Sequence, residues 1–328
     1  MNGGGSAKTA LVLGATGGIG GETAAALARH GWRVIAMARK LSAGGAAGAL
    51  DGVAGDAVRW VAGDALRAED VRRAAEGARV IVHAVNPPGY RNWAQLVLPM
   101  IDNTIAAARA VGARVVLPGT VYNFGPDAFP LLTEDSPQHP ITRKGKIRLA
   151  LEEKLQEAAG DGVTVMIVRF GDFFGPNAGN NWLTQGLVKP GRRLDAITTP
   201  GARGVGHAWA YLPDAAEAIA RLLERDPDLP AFARFHFAGH WDADGTAMPA
   251  AIRNAVGRPE TKTRPMPWAL LWVGGLFNET LRELREMRYL WRVPVQLDGA
   301  RLAAFLGGEP HTPLADAIKT TLAAQRVT

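Results

Sequence analysis

The stretch Ala10-Leu11-Val12-Leu13-Gly14-Ala15-Thr16-Gly17-Gly18-Ile19-Gly20 decides how the rest of this chain is read. An apolar run suited to a buried strand ends in glycines at three-residue spacing, and an Ala-rich helical pattern follows from Glu22 to His30. The three glycines have separate physical tasks. Gly14 lets the strand turn sharply, Gly17 removes a Cβ that would block a pyrophosphate, and Gly20 lets the helix pack tightly on the strand. Free N–H groups at the helix start, with its dipole, form an anion site. Gly14, Thr16, Gly17, Gly18, Ile19 and Gly20 are therefore the expected cradle of a dinucleotide.

Outward from this loop, short β-branched runs alternate with Ala-rich helical stretches. Strands are expected over 9–13, 33–38, 58–62, 80–84, 114–117 and 163–168, and helices over 21–30, 68–76, 94–111 and 144–159. Repeated β-α units with continuously apolar strands imply a parallel sheet covered on both faces, and right-handed crossovers make it doubly wound. The expected class is α/β, a Rossmann-type doubly wound parallel sheet with a smaller, mostly helical C-terminal substrate lobe. Residues 1–175 form the dinucleotide-binding domain, a helix over 214–224 and a strand over 234–238 return the segment 205–238 to it, and 176–204 with 239–328 make the lobe.

Composition excludes several classes. The 328 residues are 47% apolar and 21% charged, which suits a globular protein, and the absence of cysteine removes disulfide and thiolate chemistry. The Gly-rich start from Met1 to Lys8 lacks the apolar core of a signal peptide, and the apolar stretch over 267–277 is too short to span a bilayer. A cytoplasmic protein with no membrane partner is expected. The net charge of +6 is dispersed among glutamates, as in 279–292, so nucleic acid is not an expected partner either. The seven histidines show no metal-like spacing, the pair His236 and His240 straddling a strand end, and no metal is expected. The pair Glu134-Asp135, hemmed in by Pro137 and Pro140, is read as an exposed loop.

Several motifs in order resemble those of the extended short-chain dehydrogenase/reductases, of the NAD(P)-dependent epimerase/dehydratase type. The glycine run is similar to that family's Gly-x-x-Gly-x-x-Gly. Gly63-Asp64 resembles the Gly-Asp whose carboxylate touches the adenine. His83-Ala84-Val85-Asn86 resembles the segment under the cofactor ribose. Arg169 to Pro176 (RFGDFFGP) resembles Arg-Pro-x-x-x-Tyr-Gly-Pro, and His207 to Asp214 resembles the late strand-to-helix segment. The resemblance implies that Asp64, Ala84, Val85, Asn86 and Arg169 join the glycine loop in holding the cofactor. It also implies a homodimer built on the helices over 94–111 and 144–159. The second strand ends Met37-Ala38-Arg39-Lys40, with no acid to receive a ribose 2′-hydroxyl. A guanidinium suits a 2′-phosphate instead, so Arg39 and Lys40 favour NADP over NAD.

The family's proton transfer normally uses Ser/Thr and a Tyr-x-x-x-Lys pair on one helix, where the lysine lowers the phenol's pKa. Aligned on Glu152, this chain has Lys144 and Arg148 at those two positions; a shifted register gives Thr142 and Lys146. Neither register supplies a tyrosine. Thr120 aligns with the Ser/Thr, and Tyr122 or Tyr90 could take the place of the missing phenol. Lys144 could give a proton if buried beside Arg148, and is a solvated helix residue if exposed. The candidate catalytic residues are Thr120, Tyr122, Lys144 and Arg148. The best reading is an oxidoreductase of epimerase/dehydratase type moving hydride on a small hydroxyl-, carbonyl- or sugar-type substrate. The alternative is a non-catalytic NADP(H)-binding redox sensor.

Overall fold

Strand Thr9–Leu13 sits inside a seven-stranded sheet whose order is Phe232–His236, Val165–Arg169, Arg114–Gly119, Val80–His83, Thr9–Leu13, Arg33–Ala38, Val58–Ala62. Every pairing in it is parallel. This is a computed structural model, and it describes residues 8–40, 50, 53, 56–87, 92–179, 181–274 and 279–328. Tyr90, residues 1–7 and most of the Gly/Ala-rich stretch 43–55 lie outside the described residues.

The inner strands are buried almost end to end, as a sheet covered on both faces requires. On one face, helices Gly18–Arg29 and Leu212–Glu224 pack together over Ala10, Val12, Val34 and Val82. On the other, Ala68–Ala74, Trp93–Val111 and Arg143–Gly160 lie side by side over Leu11, Leu13, Ile81 and Val115. Strand order reverses between Thr9–Leu13 and Val80–His83, so the crevice for a ligand opens there, at the strands' carboxyl ends.

The helix after the glycine loop begins at Gly18, three residues earlier than its pattern suggests, because Gly17 takes the cap position. Starting a helix with Gly-Ile-Gly-Gly costs about 1 kcal/mol per glycine against alanine. Burial of a side chain such as Leu27 returns about 1.5–3 kcal/mol, and Ala24, Ala25 and Ala26 are also fully covered. Packing therefore outweighs propensity.

The returning segment divides. Helix Leu212–Glu224 and strand Phe232–His236 join the main sheet, whereas His207–Tyr211 pairs with Asp172–Phe174 and His240–Asp242 in a separate three-stranded sheet. That small sheet and the C-terminal helices enclose their own core around Phe174, Trp209, Trp291 and Ile318. Among the described residues, no helix is long and apolar enough to cross a membrane.

The glycines give a test of the packing. A Cβ on Gly20 would lie 2.2 Å from the Gly14 carbonyl oxygen, whereas one on Gly160 would meet nothing within 4 Å. Gly20→Ala should lose about 3 kcal/mol in urea denaturation, and Gly160→Ala should be neutral or slightly stabilising. Equal unfolding midpoints for the two variants would contradict this seating of the helix.

Candidate functional site

At the reversal of strand order a cleft of about 490 Å³ opens above the glycine loop. Gly14, Thr16, Gly17, Gly18 and Ile19 form its floor, Arg39, Asp64 and Leu66 one end, and Ala84, Val85, Asn86 and Trp93 the other. Gly14 has φ +86°, and a Cβ there would lie 2.6 Å from the Ala84 oxygen, so only glycine brings the two loops this close. No side chain caps the helix that starts at Gly18, which leaves its first amides to an incoming anion. Asp64 lines the cleft while its Oδ1 accepts from the Leu66 amide at 3.0 Å. Arg39 is exposed at the end of its strand and lines the cleft; Lys40 is exposed and does not. Gly20 also stays out of the lining, packed beneath it against Gly14.

A second cavity of about 140 Å³ adjoins the first and shares Asn86, Trp93, Phe173 and Asn181 with it. Thr120, Tyr122 and Arg148 line this second cavity. Thr120 follows the strand Arg114–Gly119 and caps the short helix Val121–Asn123, its Oγ1 accepting from the Tyr122 amide at 3.2 Å. That bond uses an oxygen lone pair and leaves the hydroxyl proton for another acceptor. Gly145 explains how helix Arg143–Gly160 reaches the site: a Cβ there would lie 2.2 Å from the Tyr122 carbonyl oxygen.

The two basic candidates separate. Arg148 donates to Asn86 Oδ1 at 2.5 Å, with its guanidinium 5.0 Å from the centre of the Trp93 ring. Lys144 is buried, its Nζ 5.6 Å from the same ring, and it lines neither cavity. Of the second register, Thr142 is the helix cap, accepting from the Gly145 amide at 3.0 Å, and Lys146 is exposed.

Arg169 is not where the resemblance implied. It lines neither cavity and is fully buried, its Nη1 and Nη2 donating to the two oxygens of Glu152 at 2.9 and 2.7 Å. Nη1 also donates to the Thr120 carbonyl. A buried guanidinium needs a carboxylate, and removing one partner from such a pair costs about 3–5 kcal/mol. Arg169 thus braces the loop that carries Thr120 and Tyr122. Glu134 is a second correction: it is buried rather than exposed, and its Oε1 accepts from the His236 amide at 2.9 Å. Asp135 is the exposed member of that pair.

Sequence reasoning missed Trp93, Phe173, Asn181, Trp182 and Gln185, which come from three separate segments of the cavity wall. The Gly- and Asn-rich composition around 175–181 suits a loop, and nothing in it says which cavity it would line. Among the described residues no cluster of three or more His, Asp or Glu could hold a metal.

The sequence over residues 10–232 matches the profile of the NAD dependent epimerase/dehydratase family. The chain belongs to that family. Its fold is similar to UDP-glucuronic acid 4-epimerase from Bacillus cereus solved with NAD (14% identity, TM-score 0.76, covering 97% of this chain and 98% of that one). It is also similar to MoeE5 solved with UDP-glucose and NAD (18%, TM-score 0.72, 97% and 98%). A nucleoside-diphosphate-sugar epimerase from Pseudomonas aeruginosa aligns with TM-score 0.69 at 18% identity, over 98% of each chain. None of the curated proteins compared matches the sequence. Similarity at these identities carries the fold.

Beneath the cleft, His83 donates from Nδ1 to Thr104 Oγ1 at 2.8 Å, while that hydroxyl donates to the Met100 carbonyl. Burial, reinforced by the charge of Arg148, pulls the His83 pKa down to about 3. The unfolded chain then binds a proton below pH 6.5 that the folded chain refuses until about pH 3. Stability from this site is complete above pH 6.5 and falls as the pH drops toward 3. Relative to His83→Gln, the native chain should lose about 1.4 kcal/mol per pH unit between pH 6 and 4. A stability difference that stays constant across that range would show His83 to be protonated in the folded chain.

Proposed function

We propose that this family member is a nicotinamide-dinucleotide-dependent oxidoreductase of epimerase/dehydratase type, preferring NADP(H), and that it acts on a small hydroxyl-, carbonyl- or sugar-type substrate. One observation carries the reading: the glycine-floored cleft adjoins a cavity lined by Thr120 and Tyr122, the two sharing Asn86, Trp93, Phe173 and Asn181 as walls. The residues fit the dinucleotide. Gly14 and Gly17 leave room for a pyrophosphate, the uncapped helix start faces it, and Arg39 stands at the cleft's far end on a strand that ends without an acid. Such a cofactor supplies or accepts a hydride when bound.

The proton must then come from this chain, and helix Arg143–Gly160 carries no tyrosine for it. Of the candidates, Tyr122 is half-buried in the cavity wall, whereas Lys144 is buried and lines neither cavity. Tyr122 is therefore the acid/base, giving its phenolic proton to a substrate oxygen or taking one from it, and Thr120 holds that oxygen through its hydroxyl proton. Arg148 fixes Asn86 and the segment Ala84–Asn86 through their shared bond. Lys40 adds charge outside the cleft. A homodimer joined through helices Trp93–Val111 and Arg143–Gly160 belongs to the same reading.

Titration with NADPH and NADH tests the first half. Charge-assisted bonds to a 2′-phosphate are worth about 1.5–3 kcal/mol, so NADPH should bind roughly tenfold to a hundredfold more tightly than NADH. Arg39→Asp should reverse that order; an unchanged ratio would remove Arg39 from the phosphate site. Tyr122→Phe should leave NADPH affinity intact and lower kcat by about 10²–10⁴. Normal turnover in that variant would overturn the role given to Tyr122. Tight binding without turnover of aldehydes, ketones or nucleotide sugars would favour a redox sensor over an enzyme.

A further inference from the structure

We infer that the second cavity takes an uncharged, single-ring substrate bearing one carbonyl or hydroxyl oxygen, and turns away a nucleoside diphosphate. The inference rests on reading this cavity as the substrate end of the site. Its size comes first. At about 140 Å³ it is close to the roughly 150 Å³ apolar cavity that accepts benzene in another protein. Trp93, Phe170, Phe173 and Trp182 contribute aromatic walls to it, surfaces on which a flat ring packs well.

Charge comes second. Among the described lining residues only Arg148 and Asp172 are charged, and each is already engaged. Arg148 bonds Asn86 and stacks on Trp93. Asp172 Oδ2 lies 2.7 Å from His207 Nε2. A diphosphate carries at least two negative charges and needs cations or free backbone amides to replace its water. Beside Asn181, the Thr184 amide is already engaged, donating to Asn181 Oδ1 at 3.0 Å. Apart from Arg148 and Asp172, the described lining residues are neutral, and the hydroxyls of Thr120 and Tyr122 suit one substrate oxygen.

Calorimetry on the full chain, with and without saturating NADP, tests this with three probes: acetophenone, benzoate and UDP-glucose. Acetophenone should bind at least tenfold more tightly than benzoate, and UDP-glucose should not displace it. Equal affinity for the neutral and charged rings, displacement by UDP-glucose, or no binding of acetophenone would each overturn the inference. Gln185 is exposed at the cavity's edge, so a cation can be added there without disturbing the core. Gln185→Arg should raise benzoate affinity about tenfold relative to acetophenone; an unaltered ratio would place the ligand elsewhere. Failure to bind NADP is read separately. It would sink the dinucleotide reading, while the probe comparison on the free chain would still decide this one.

Discussion

The approach of three backbone segments at Gly14, Gly20 and Ala84 constrains everything else in this molecule. The Gly20 α-carbon sits so near the Gly14 carbonyl, and Gly14 so near the Ala84 carbonyl, that one methyl group at either glycine would overlap backbone atoms. Backbone cannot swing aside as a side chain can, so the contact fixes where the first helix starts and how high it stands over the sheet. Because Val80–His83 lies beside Thr9–Leu13 with the strand order reversing between them, the same contact opens the cleft. Sheet, helix seat and ligand crevice follow from one piece of close packing.

A second constraint holds the chemistry in place. Arg169 and Glu152 form a bidentate ion pair under the loop of Thr120 and Tyr122. Gln138 donates to the same carboxylate and also receives a bond from Asn123, inside the short helix that carries Tyr122. Such a network is costly to leave half made, so its members fix one another's positions. His236 takes part as a neutral ring: Arg169 Nε lies 3.3 Å from its Nε2, and burial pulls its pKa down to about 3. Its Nδ1 then keeps the proton and donates to the Leu132 carbonyl.

The basic residues on helix Arg143–Gly160 differ in how they meet the cavity. Lys144 and Arg148 are one turn apart and both lie against the Trp93 ring, yet only Arg148 reaches the cavity. In the function proposed above, the proton-transfer role falls to the strand-end loop, beside the aromatic wall that Trp93 forms with Phe173 and Trp182.

Much of this was legible in the residues. The strands over 9–13, 33–38 and 58–62 stand at their expected bounds, since short runs rich in apolar and β-branched residues admit few alternatives. The glycine loop and the residues Asp64, Ala84, Val85 and Asn86 reach one cleft because each ends or follows a neighbouring strand, and parallel β-α units bring all such ends to one edge. The sequence by itself therefore determined the fold and the floor of the cleft, which depend on local periodicity and on what a missing Cβ allows. Tertiary structure alone decided that Arg169 braces a loop, that Glu134 is buried, that Lys144 is shut away while Tyr122 faces the cavity, and that five wall residues meet there. The physical reason is that burial and pairing belong to segments distant in the chain, and a side chain's partner across 17 or 102 residues leaves no mark in the spacing around it.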